Sequence, residues 1–242
     1  MKKSLILIPC SKGKRVVMCK EEFQEPVRDI QPLRGELLTE IEHIPSIAGN
    51  LQNQAGILNR DAPLSKAIDL YTGQFYQAAG NSLHRIMAGE YSSTAVLIVS
   101  AFYGLAKLDE GLKEYELEMD NILHSGVKVC EFWQGHQLWR LLRNYVDKNN
   151  ITHICSLLPN SYHRVFDGLW KQIRNDKCIR VKVVPNPWPK STSWVLGQWL
   201  REVLKEISRS GRDYLTGELP PKQFKEIPEY TFHYVPCREE NR

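Results

Sequence analysis

The stretch Ser4-Leu5-Ile6-Leu7-Ile8-Pro9-Cys10-Ser11-Lys12-Gly13-Lys14-Arg15 decides the fold. Side chains alternate between the two faces of a strand, so the unbroken run Leu5 to Ile8 is apolar on both faces. That is the mark of a strand covered on both sides in a largely parallel sheet. Pro9 has no amide hydrogen for a sheet ladder, so the strand ends there. A small, polar, cationic loop follows. In open α/β sheets ligands sit beyond the carboxyl ends of the strands. The loop is therefore expected to face a ligand, and its charge favours an anion such as phosphate.

Three more runs rich in Ile, Val and Leu read as strands: Ala95–Ser100, Thr152–Leu158 and Ile179–Val184. Helical spacing lies between them. Ala62–Tyr71 sets Leu64, Ala67, Ile68 and Tyr71 on one face, and Phe75–Met87 repeats the pattern after a break at Thr72-Gly73. Phe132–Val146 carries Leu138, Leu141, Leu142 and Tyr145 in register. The clearest stripe follows Lys190, with Leu196, Trp199, Leu200, Val203, Leu204 and Ile207 behind a Ser191 or Ser193 cap. Alternating strands and helices predict an α/β fold, a mixed or largely parallel central sheet flanked by helices. The polar, proline-bearing residues 20–60 read as an inserted helical region, with a short helix at Glu36–Ile44 and a turn at Pro45-Ser46-Ile47-Ala48. One α/β domain over 1–209 is expected, and a C-terminal extension over 210–242 whose spaced aromatics pack back on the core.

Composition narrows the partners. The 242 residues are 42% hydrophobic and 25% charged, with a net charge of +4, the balance of a folded, mildly basic chain. No apolar run is long enough for a membrane span, and the six-residue run at the N-terminus is too short for a signal-peptide core. A cytoplasmic protein with no membrane partner is expected. Its six cysteines form no CxxC pair and its seven histidines show no zinc spacing, so neither a metal site nor a secreted disulfide framework is read. Cys155 and Cys178 lie inside apparent strands as small core residues. There is no GxGxxG, Walker loop or HExxH, and no cofactor is implied.

The candidate binding residues cluster after strands. Ser11, Lys12, Lys14 and Arg15 offer a hydroxyl and three cations to a phosphate, against the alternative of an ordinary basic surface loop. Cys10 beside them is a nucleophile or a small packing residue. Tyr71-Thr72-Gly73 combines a ring able to stack on a base, a hydroxyl and a flexible joint. Ser100, Tyr103 and Gly104 end the second strand at the same sheet edge, Gly104 permitting close backbone approach or a positive φ. Ser161 and Tyr162 follow the third strand, and Lys190 follows the fourth. Glu116 or Glu118 is a possible general base, while Asp109 and Glu110 read as surface residues.

Read together, these segments resemble a known family. The loop Pro9-Cys10-Ser11-Lys12-Gly13-Lys14 is followed in order by Tyr71-Thr72-Gly73, Ser100-Ala101-Phe102-Tyr103-Gly104, Tyr115-Glu116-Leu117-Glu118-Met119, Phe132-Trp133 and Ser161-Tyr162. The order is similar to that of the YaaA family, the peroxide stress resistance proteins, over roughly residues 4–205. The first loop departs from the Ser-Pro-Ala-Lys of better-known members, residues 20–50 have no counterpart, and a lysine-rich segment is reduced to Pro189-Lys190-Ser191. The first loop also resembles one in archaeosine-synthase-type enzymes, over that motif alone. The YaaA resemblance implies DNA binding through a positively charged cleft with a helix-hairpin-helix-like element, and a role in limiting free iron and oxidative DNA damage. It leaves catalysis open. In the binding reading, Lys12, Lys14, Arg15 and Lys190 contact phosphates while Tyr71, Tyr103 and Tyr162 contact bases or shape the pocket. In the alternative reading the chain is an enzyme acting on a nucleoside, a nucleotide or a nucleic-acid base, with Ser11, Ser100, Tyr103 and Ser161 as its polar catalytic candidates.

Overall fold

A computed structural model describes residues 3–19, 23–45, 56–184, 191–212, 214–215, 219–227 and 230–238. Its frame is a six-stranded sheet built from β1 (Ser4–Pro9), β3 (Thr94–Ser100), β4 (Gly104–Lys107), β6 (His153–Ser156), β7 (Cys178–Val184) and β8 (Thr231–Pro236), in the order β4-β3-β1-β6-β7-β8. A separate two-stranded pair joins β2 (Ser65–Lys66) to β5 (Gly111–Leu112). β1, β3, β6 and β7 run parallel, and β4 and β8 close the two edges antiparallel. All six residues of β1 are buried, as its double-sided apolar run requires. Among the parallel strands β1 leads to β3 on one side, while β6 and β7 follow on the other. The winding therefore reverses between β1 and β6, and an open α/β sheet forms its ligand crevice at such a reversal.

Two strands of the six-stranded sheet, like the short β2 and β5, are hidden from the hydrophobic pattern. β4 is four residues long and forms a tight hairpin with β3, with Gly104 at φ 65° packed under Ile30 and Trp133. β8 lies in the C-terminal extension, where Phe224, Ile227, Tyr230 and Phe232 are also buried.

The helices also differ from their periodicity. The expected helix over Ala62–Tyr71 is helical only at Ala67–Leu70, because the amides of Ala67 and Ile68 bond Glu110 and Leu108 carbonyls instead. The Phe75–Met87 pattern breaks at Gly80, φ 56°, into Gln74–Ala79 and Ser82–Met87. The Phe132–Val146 pattern breaks at Gln137, φ 55°, into Val129–Gly135 and Leu138–Lys148. In the insertion, Gln31–Glu42 starts five residues before the expected helix, since Pro32 in a first turn has no amide to lose. The Ser46-Ile47-Ala48 portion of the expected turn lies outside the described residues. Thr192–Ser210 follows its stripe, with the Ser191 hydroxyl accepting from the Trp194 amide and Gly211 ending it in the left-handed region.

This long helix packs on Gln74–Ala79 through Gly197, which lies against the Phe75 carbonyl; a Cβ there would stand 2.9 Å from that of Ala78. Gly197→Val is expected to lower stability by about 1–3 kcal/mol through overpacking, measured by urea unfolding.

Two polar features correct the sequence reading. Glu110 is buried, not at the surface: its carboxylate meets the buried Arg34 guanidinium at 2.6 Å and accepts the Lys107 amide at 3.2 Å. Arg34 also donates to the Tyr103 and Leu105 carbonyls and so clamps Gln31–Glu42 to the β3–β4 turn. Cys178 is a core residue but not a lone thiol. It is disulfide-bonded to Cys237, 59 residues on, with Cα atoms 5.6 Å apart, at the end of the β7–β8 ladder. Such a loop closure is worth about 4 kcal/mol in chain-entropy terms.

Candidate functional site at the sheet reversal

The residues singled out after β1, β3 and β6 sort into a buried floor and an accessible rim. Ser100, fully buried at the end of β3, anchors the floor. Its hydroxyl lies 2.8 Å from that of Tyr115 and accepts the Tyr103 amide at 2.8 Å. The Tyr115 hydroxyl is in turn 3.0 Å from that of Tyr71. Tyr76, which the sequence reading did not select, donates to the Pro9 carbonyl at 2.9 Å and holds the end of β1. Tyr103 brackets Lys113, accepting its amide and donating to its carbonyl. Tyr71, Tyr103 and Tyr115 are all buried, and desolvation raises their phenols well above the ordinary value. At neutral pH the floor is an uncharged hydroxyl network. Gly104 belongs to this layer as a hairpin residue.

The rim is the first loop, the Tyr71-Thr72-Gly73 segment and the turn after β6. The amides of Arg15 and Thr72 bond the Leu70 and Gly13 carbonyls, tying the first loop to Tyr71-Thr72-Gly73. Gly73 is required there: its Cα lies against Ser11, and a Cβ would come within 2.9 Å of that of Ser11 as well as striking its hydroxyl. Across the reversal, the Cys10 sulfur lies 3.2 Å from the Tyr162 hydroxyl, so β1 and β6 meet where the topology places the crevice. Ser161 is half-buried beside Tyr162. Lys190 lies outside the described residues, as do Pro185 to Pro189.

Electrostatics separate the two lysines. The Lys12 ammonium is exposed and sits 3.1 Å from Glu118; that hydrogen bond and its charge raise the Lys12 pKa. A solvent-screened pair of this kind is readily exchanged for another anion. Lys14 turns inward. Its ammonium stands 4.2 Å from the centroid of the Tyr115 ring and 5.9 Å from that of Tyr71, and burial lowers its pKa. A desolvated ammonium over an aromatic face is a strong, preorganised site for a negative oxygen. Lys12, Gly13, Lys14 and Tyr115 line a cavity of about 380 Å³ together with Gly56, Glu114 and Glu116. Its wall is thus of mixed charge. The volume lies near the lower end of the roughly 300–1,000 Å³ range of small-molecule sites.

His163 follows Tyr162 and is buried. Its Nε2 lies 3.3 Å from the Cys237 carbonyl, which can only accept, so Nε2 carries the proton and Nδ1 faces the Ser156 hydroxyl at 3.2 Å. Burial first, and then the charge of Arg180, push its pKa down to about 3.

Among the described residues no helix is long and apolar enough to cross a membrane, and no group of three His, Cys, Asp or Glu side chains is placed to hold a metal ion. No curated protein matches the chain. The sequence model of one family, described as "Peroxide stress protein YaaA", matches residues 5–190, which takes in β1, β3, β6, β7 and both faces of the site. This chain belongs to the YaaA family of peroxide stress proteins.

Proposed function

We propose that this chain serves peroxide stress protection by binding DNA, taking one unpaired or extruded nucleotide into the cavity between the loop after β1 and residues 114–116. The observation that carries the reading is the Lys14 ammonium held over the Tyr115 ring beside a cavity of about 380 Å³ that both residues line. Lys12, Lys14 and Arg15 hold phosphate oxygens, while Ser11, Thr72, Ser161 and Tyr162 present hydroxyls from the rim. Cys10 and Gly73 set the spacing of that rim. Tyr71, Tyr103, Ser100 and Gly104 shape the floor and touch no ligand directly. Glu114 and Glu116 disfavour a long phosphate track through the cavity, and a carboxylate suits the exocyclic amine of a base such as cytosine. A single nucleotide satisfies both charges better than a duplex backbone does.

The binding test is a salt series with DNA carrying one bulged nucleotide, using wild type and Lys12→Ala/Lys14→Ala. The variant is expected to bind about tenfold or more weakly, with the salt slope smaller by about one to two. Equal affinity and slope in the two proteins overturn the reading.

A second reading, an enzyme acting on the captured base, is favoured by the lowered pKa of Lys14, which puts an amine near Cys10 closer to neutrality than a free lysine. Its readout is a changed or released base after prolonged incubation, absent with Lys14→Ala.

A further inference from the structure

We propose that Cys178 and Cys237 are a dithiol that peroxide closes, and that closing it fixes Tyr162 on the rim of the site. Strand pairing sets up the pair. Ile179 faces Pro236 in the β7–β8 ladder, so Cys178 and Cys237 are the next pair in register, and their bond locks the edge strand where β7 begins. The family match covers residues 5–190 and so includes Cys178, whereas β8 and Cys237 lie beyond it.

The route from the lock to the site is short. The Cys237 carbonyl accepts from His163 Nε2 at 3.3 Å. The His163 ring stacks on Trp170 with centroids 4.9 Å apart, and the Trp170 indole donates back to the His163 carbonyl at 3.0 Å. Tyr162 is the preceding residue on the same Asn160–His163 turn, and its hydroxyl reaches Cys10 across the reversal. The residue that holds the disulfide end therefore adjoins the residue that meets Cys10 at the rim of the site. Freed of its bond, β8 is an antiparallel edge strand held by its ladder, its packing and side-chain hydrogen bonds at Thr231 and Tyr234, with no covalent tie at the end that carries Cys237. Its fraying removes the acceptor from His163 and loosens the turn that carries Tyr162.

The chemistry balances with hydrogen peroxide as oxidant. One thiolate attacks a peroxide oxygen; the O–O bond breaks, a sulfenic acid forms and the other oxygen leaves as water after taking a proton. The second sulfur then attacks the sulfenic sulfur, the S–S bond forms and the hydroxyl leaves as a second water. Two thiols and one peroxide give one disulfide and two waters, with sulfur oxidised and peroxide reduced. A small-molecule thiol reopens the pair by exchange. Both sulfurs are buried while β8 is paired, so reaction follows opening of the edge. None of this depends on DNA being the ligand.

The test uses the full chain, reduced, freed of reductant and titrated with hydrogen peroxide. Peptide mapping after alkylation is expected to find a Cys178–Cys237 cross-link at about one peroxide per pair. Amide hydrogen exchange is expected to slow about tenfold or more in residues 231–236 and in 160–166 on closure. Cys237→Ala, which keeps the ladder but cannot close, is expected to stay at the faster rate in both segments whatever the peroxide. The proposal is overturned if Cys178 and Cys237 remain alkylatable while other cysteines oxidise, or if the cross-link forms and exchange in 160–166 does not change. Should Cys237→Ala fail to fold, the wild-type comparison decides alone.

Discussion

Replacing Arg34 by methionine is expected to lower folding stability by about 3–5 kcal/mol, the loss that follows when one member of a buried ion pair is removed. Arg34 and Glu110 are 7% and 3% exposed, so neither can turn to water. Methionine keeps much of the volume but leaves the Glu110 carboxylate buried with, among the described residues, the Lys107 amide as its remaining donor. It also strips the Tyr103 and Leu105 carbonyls of their Arg34 donors. Urea unfolding of the single variant measures the loss. The double variant Arg34→Met/Glu110→Leu is expected to recover most of it, because an apolar pair of similar size removes the uncompensated charge. A single variant within about 1 kcal/mol of wild type contradicts a buried, charged pair. The pair lies under the β3–β4 turn that carries Tyr103, so the same substitution is expected to disturb the floor of the site.

The second large effect is an acid-side loss of stability centred on His163. Its folded pKa of about 3 lies below the ordinary value of 6.5. Between those two pH values the unfolded chain takes up a proton that the folded chain refuses. Stability therefore rises with pH across the window, and falls as the solution is acidified through it. A shift of this size is worth up to about 5 kcal/mol, fully lost only below pH about 3. His163→Gln removes the titration while keeping a group that can hydrogen-bond. Its stability difference from wild type is expected to shrink, and then reverse, as the pH drops from 7 towards 4. A difference constant over that range contradicts the assignment of a neutral, buried imidazole.

Local sequence carried the central frame and little of the wiring. The Leu5–Ile8 run is apolar on both faces, and no neighbouring segment is needed to see that it is a covered strand. The same holds for the stripe from Leu196 to Leu204 behind the Ser191 cap. β4 was not legible because four residues give no periodicity. β8 was not legible because its aromatics sit in a polar extension and owe their burial to β7. Glu110 reads as a surface acid until Arg34, 76 positions away, is placed against it. The Cys178–Cys237 bond is hidden by the same kind of separation. For the site, the motif order brought Cys10, Tyr71, Ser100, Tyr103 and Tyr162 to one sheet edge. Their division into buried floor and accessible rim was not legible, because it depends on the hydroxyl chain Ser100–Tyr115–Tyr71 and on which way Lys14 turns. Nor did any local signal mark Tyr76, whose reach to the Pro9 carbonyl is a matter of tertiary packing.

The proposed occupant of the cavity is one nucleotide rather than a run of phosphates. The most direct test compares binding to two DNA duplexes, identical except that a single bulged position carries a base in one and an abasic sugar phosphate in the other. Charge and backbone are the same, so the difference isolates the base. Wild type is expected to bind the abasic duplex about tenfold or more weakly, of the order expected for one base held in a pocket, and Lys12→Ala/Lys14→Ala to show little difference between the two. Equal affinity of wild type for both duplexes would contradict a one-nucleotide occupant and leave only a phosphate contact at the rim.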